Sequence, residues 1–127
     1  MFSHQTLGSN DIARSKLFYD ALFAAMGGPE GVIDPKGRLI YVHNGGRLLI
    51  TRPVNGEPAC HGNGTTLGLT MDSPDMAEAW HEAGVANGGT TCEDPPGIRE
   101  MPDGRKLYLA YLRDPDGNKL CALHRIP

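Results

Sequence analysis

The chain has 127 residues, enough for one domain that buries a core without covalent staples. Twelve basic and fifteen acidic residues give a net charge of −3, with no basic block, which excludes a nucleic-acid-binding face. At 39% hydrophobic and 21% charged the composition is that of a folded globular chain, and no apolar run nears the roughly 20 residues that span a bilayer. The opening MFSHQTLGSND has no charged region followed by an apolar stretch, so no signal peptide is expected. Cys60, Cys92 and Cys121 are odd in number and form no CxxC pair, which points to reduced thiols and a cytoplasmic protein.

Phe2–Leu7 is the first expected strand. A helix follows, with Asn10 or Ser9 as cap and Asp11 at the positive end of its dipole. Ile12, Ser15, Phe18, Tyr19, Leu22, Phe23 and Met26 fall within an arc of roughly 140° and form its buried face. Gly27-Gly28-Pro29 ends it. Three short strands are expected at Gly31–Asp34, Arg38–His43 and Arg47–Thr51, joined by Pro35-Lys36-Gly37 and Asn44-Gly45-Gly46 turns.

Residues 53–63 have linker composition, after which the pattern restarts. Thr65–Met71 alternates, with Leu67, Leu69 and Met71 on one side and Thr66, Gly68 and Thr70 on the other. Ser73-Pro74-Asp75 starts a second helix, whose buried stripe is Met76, Ala79, Trp80 and Ala83, with His81 facing solvent. Gly88-Gly89 ends it, and strands are expected at Thr90–Cys92 (extending toward Arg99), Lys106–Arg113 and Asn118–His124. The chain is thus α+β, two tandem βαβββ modules (about 1–52 and 64–127) forming one domain, with curved mixed sheets around a cleft. "NGGR" and "NGGTT" lack the spacing and context of phosphate loops, so nucleotide binding is not expected.

The stretches HQTLGSNDIARSKLFYDALFAAMG and DPDGNKLCALH, in this order and at this separation, resemble the opening strand–helix and the final hairpin of the vicinal oxygen chelate superfamily. That superfamily includes glyoxalases, bleomycin and fosfomycin resistance proteins and extradiol dioxygenases. The resemblance implies a small-molecule ligand and a homodimer. In its metal-dependent members four strand side chains, typically His and Glu, hold a divalent ion that acts as a Lewis acid. The four positions match His4, Leu49, Thr66 and Cys121 here, so one of four is kept and the carboxylate expected at 121 is a cysteine. No metal or other cofactor is therefore expected. A shifted metal site using His43, His61 or Asp72 is the alternative enzyme reading, and a non-catalytic interaction module is a third.

His4 is the candidate acid/base, on a strand lining the cleft. Thr66, Arg99, Tyr108 and Cys121 are the candidate ligand-binding residues. Arg99 follows the stiff Pro95-Pro96-Gly97 turn and offers a planar donor fork to an anion. Tyr108 and Tyr111 occupy opposite faces of one strand, so only one of them can face the cleft. His4, Thr66 and Cys121 are expected to line one pocket, with Arg99 at its rim.

Overall fold

The computed structural model describes all 127 residues. The first module holds β1 (Gln5–Gly8), α1 (Ile12–Ala25), β2 (Val32–Ile33), β3 (Leu39–His43) and β4 (Gly46–Thr51). The second holds β5 (Leu67–Thr70), α2 (Pro74–Ala86), β6 (Thr90–Thr91), β7 (Gly97–Glu100), β8 (Lys106–Arg113) and β9 (Lys119–Ile126). Neither helix is long and apolar enough to cross a membrane.

The two sheets share one topology. The first runs β1-β4-β3-β2 and the second β5-β9-β8-β6, and in each the strand before the helix pairs in parallel with the module's last strand. The expected βαβββ repeat is present, with one difference. The second module's second strand is split, because β6 and β7 both pair antiparallel with β8. Thr91 lies opposite Leu112 and Gly97 opposite Leu109, so residues 92–96 face only Ala110 and Tyr111 and must loop outward, with Glu93 at φ +55°.

Asp11 caps α1, its carboxylate accepting from Arg14 N at 3.0 Å, where Asn10 or Ser9 was expected. The two alternatives are occupied elsewhere. Ser9 is buried with its hydroxyl 2.6 Å from Ser15 Oγ, and Asn10 clamps the linker through both the N–H and the C=O of Ala59. Ser73 caps α2 as expected, with Pro74 at the first helical position.

One core of eighteen residues draws on both modules, with Phe18, Tyr19 and Leu22 of α1, Trp80 of α2 and Leu39, Tyr41, Ile50 and Leu112 of the sheets almost wholly buried. The buried stripe of α2 is Ala77, Trp80 and Gly84, while Ala79 is exposed. The reason is close approach: a Cβ at Gly84 would lie 2.3 Å from Leu112 Cδ1 and 3.2 Å from Leu22 Cδ2. The helix turns its smallest residue, not its most apolar arc, toward α1 and β8. His81 is half-buried rather than solvent-facing, with Nε2 3.2 Å from Thr91 Oγ1.

The two sheets are not hydrogen-bonded to each other; the last hairpin fastens the modules together. Asp114, 3% exposed, accepts from Tyr19 Oη at 2.5 Å, from the backbone N–H groups of Asp116 and Asn118, and from Asn118 Nδ2. Asn118 Nδ2 also donates to Gly8 O at 3.0 Å, and Asp116 accepts from Asn10 N, Arg14 Nη2 and Ser15 Oγ at the start of α1. Asp-Pro-Asp-Gly-Asn is thus a turn whose carboxylates reach back across the domain.

Asp114→Ala strands the buried Tyr19 hydroxyl and frees the turn; a loss on the order of 2–4 kcal/mol is expected in urea unfolding. Burial raises the Asp114 carboxyl above its ordinary range, by more than its hydrogen-bond donors lower it. The folded chain therefore holds this proton more tightly than the unfolded chain. The corresponding stability is full at low pH and is lost as pH rises through and above the carboxylate range of about 4. Asp114→Asn removes the effect, so the stability of the wild type relative to this variant should fall as pH rises through that window. A pH-independent difference would contradict the assignment.

Candidate functional site

Because each module's first strand pairs on one side only, β1 and β5 are the free edges of their sheets. A cleft of about 660 Å³ opens along them. Phe23, Met26, Tyr41, Leu48, Leu67 and Leu69 make its apolar part, and His4, Gln5, His43, Arg47, Thr66, Thr70 and Asp72 its polar part. The aromatic floor is ordered by stacking: Phe23 lies on Tyr41 with centroids 4.4 Å apart, and His43 meets Phe23 edge-on at 6.0 Å. The Tyr41 hydroxyl donates to Asp20 Oδ1 at 2.6 Å, and burial followed by that bond raises its pKa, so it stays a neutral phenol. Asp20 also accepts from Gly31 N and pairs with Lys16.

Three groups remain available to a guest. His4 holds Ser3 Oγ at Nδ1, 2.8 Å away, which leaves Nε2 unengaged. His43 has Nε2 3.1 Å from Asn44 Nδ2. Arg47 takes part in no ion pair and is the only Lys or Arg lining the cleft, while Asp72 is its only carboxylate.

The structure brings His4 and Thr66 together here and leaves the other three candidate residues elsewhere. Cys121 lies beside Gly68 and opposite Tyr111 in the ladder, on the sheet face turned away from the main core. β5 stands between it and the cleft. Arg99 is opposite Leu107 on that same face, and its Nη2 donates to Pro95 O at 2.7 Å. Of the pocket expected to join His4, Thr66 and Cys121, with Arg99 at its rim, the cleft holds His4 and Thr66, while Cys121 and Arg99 are not among its lining residues.

Tyr108 lies on the helix face. Its hydroxyl donates to Glu78 Oε1 at 2.6 Å, and burial, then Glu78, pushes its pKa up to about 12. Tyr111 is the tyrosine that shares a face with Cys121, and Lys119 Nζ sits 5.1 Å from its ring centroid. His43, Arg47 and Asp72 are the lining residues that the sequence did not put forward as ligand-binding. For His43 a signal existed, since it alternates with Leu39 and Tyr41, whose side of β3 is buried.

The donor set at the four matched positions does not fit a divalent ion. Leu49 offers no ligand atom and Thr66 only a neutral hydroxyl. The Cys121 thiol is kept protonated by burial, which raises its pKa beyond what Tyr111 and Lys119 lower. One imidazole falls short of the three or four protein ligands that zinc takes. No three His, Cys, Asp or Glu side chains converge elsewhere, although His43 and Asp72, two of the three residues of the alternative metal reading, do line the cleft.

Two βαβββ modules of identical strand order, with paired edge strands flanking a cleft, define a vicinal oxygen chelate fold. The chain superposes with a TM-score of 0.93 on the crystal structure of a glyoxalase/bleomycin resistance protein from Albidiferax ferrireducens T118, at 58% identity over 98% of this chain and 99% of that one. It belongs to the glyoxalase/bleomycin resistance family. A glyoxalase/bleomycin resistance protein/dioxygenase family enzyme from Burkholderia phytofirmans PsJN shares the fold at TM-score 0.72 and 16% identity, each chain covered to 98%. So does a glyoxalase-related enzyme from Fulvimarina pelagi, at 0.69 and 23% over 94% of this chain and 85% of that one. No family model and no curated protein matches the sequence.

The cysteine environments give a direct check. Cys60 is exposed and Cys121 is buried with a raised pKa, so iodoacetamide at neutral pH should alkylate Cys60 first and leave Cys121 unmodified until the chain unfolds. Peptide mass spectrometry over a time course reads this. Early labelling of Cys121 would show a thiolate there.

Proposed function

We propose that the chain binds a small polar or anionic molecule in the cleft between β1 and β5, without a divalent metal. The observation that carries this reading is Arg47, free of any ion pair, at a cleft whose floor is aromatic and aliphatic. Arg47 is exposed and shares Val42's face of the ladder, so it meets the cleft at its rim, where it can pair with a carboxylate or phosphate while the apolar floor takes up the rest of the ligand. His43 and Thr66 add hydrogen-bonding capacity.

Binding alone satisfies this geometry. If the guest is also transformed, His4 is the group that would move a proton, with Nδ1 fixed on Ser3 Oγ and Nε2 toward the ligand. We further propose a cytoplasmic homodimer. Ile98, exposed on the strand β7 that flanks β8, supports an apolar contact between copies. The unpaired cysteines are consistent with a reducing compartment.

Isothermal titration with small carboxylates and phosphates tests the binding reading. Arg47→Ala should weaken every hit by about tenfold or more, the scale of one charged hydrogen bond, while Arg99→Ala leaves affinity unchanged. Equal losses in the two variants would move the site to the outer face. Elemental analysis should find no stoichiometric metal; one nickel, zinc, iron or manganese per chain, lost on His4→Ala, would refute the metal-free reading.

A further inference from the structure

Gly68 is unlike every other glycine of the chain. Eight of the seventeen hold a positive φ, where a side chain is strained. Of the remaining nine, eight would bring a Cβ within 4 Å of a neighbouring atom, and Gly68 alone would meet nothing. It sits inside β5, where glycine weakens a strand and supplies no packing. Neither backbone conformation nor steric need accounts for it.

What surrounds Gly68 does. A second cavity of about 380 Å³, lined by Met71, Leu123, His124 and Arg125, shares Gly68, Leu69 and Thr70 with the 660 Å³ cleft. Both spaces border β5, and at Gly68 no side chain stands between them. We propose that Gly68 is the passage between the two cavities and sets the length of the guest: the ligand is elongated, its anionic head near Arg47 and its apolar tail crossing β5 at Gly68 to end on Leu123. This rests on the cleft being the binding site. Any side chain at 68 would stand in the path of the tail while leaving the head's contacts intact.

The test uses straight-chain carboxylates from butanoate to dodecanoate, titrated calorimetrically into the wild type, Gly68→Ala and Gly68→Val. In the wild type each added methylene should raise affinity by up to about fourfold, and the rise should continue into the longer members as the tail reaches the second cavity. Gly68→Val should leave butanoate within about twofold and weaken the longest members by about tenfold or more, with Gly68→Ala between. Both variants should melt at the wild-type temperature or above, since the new Cβ has open space and strand propensity rises. Loss of short and long members alike, or no loss at all, overturns the passage while the cleft reading stands. Failure of every carboxylate to bind the wild type overturns both.

Discussion

The buried Asp114 carboxylate is the constraint on which the domain's shape depends. It accepts four hydrogen bonds; three close its own turn, and the fourth comes from Tyr19, a helix residue of the other module. Through Asn118 and Asp116 the same hairpin holds Gly8 at the end of β1 and the first turn of α1. A βαβββ module alone has one sheet and one helix, too little to enclose Trp80 or Tyr41. Once Asp114 has docked the second module's hairpin on the first module's helix, α1 and α2 close a single core over both sheets. The cost of desolvating Asp114 is offset in part by its donors, each held in place by a turn or a helix.

Docking through helices and a hairpin leaves both sheets incomplete at the same place. β1 and β5 are four residues each and free on one side. Exposed edges invite pairing with other chains, and short strands are one common defence. Here the two edges also border a cleft whose floor is fixed by the Phe23–Tyr41 stack and, behind it, by the Tyr41–Asp20–Lys16 chain. The site is therefore a rigid apolar floor with sparsely decorated walls.

Much of this frame was legible in the sequence because repeats and punctuation are local. Ser73-Pro74, the Gly-Gly stops and the DPDG turn mark element ends without reference to tertiary structure, and both helices and all the main strands fall close to where they were expected. The errors arose where tertiary contacts decided. Asp11 caps α1 because Ser9 and Asn10 are drawn away by Ser15 and the linker. Ala79 is exposed because Gly84 permits the closer helix approach. For the site, strand parity placed Thr66 correctly beside Gly68 and Thr70, but parity cannot say which strand borders the gap. Cys121 has the right face and the wrong strand, since β5 lies between β9 and the opening. His43 and Arg47 come from the first module's inner strands, where a polar residue at a strand end gives no local sign that it borders the gap.

The chemistry available to the chain follows from which polar groups burial has silenced. Tyr41 and Tyr108 are raised and tied to carboxylates, and Cys121 is raised among leucines, so none is a base or nucleophile near neutral pH. Leu49 and Thr66 remove the ligand atoms that a metal would need. What is left in the cleft is two imidazoles, one guanidinium and the Asp72 carboxylate over an apolar floor. On the reading proposed above, proton transfer would fall to His4 or His43, with the substrate oriented by Arg47 and by the shape of the walls.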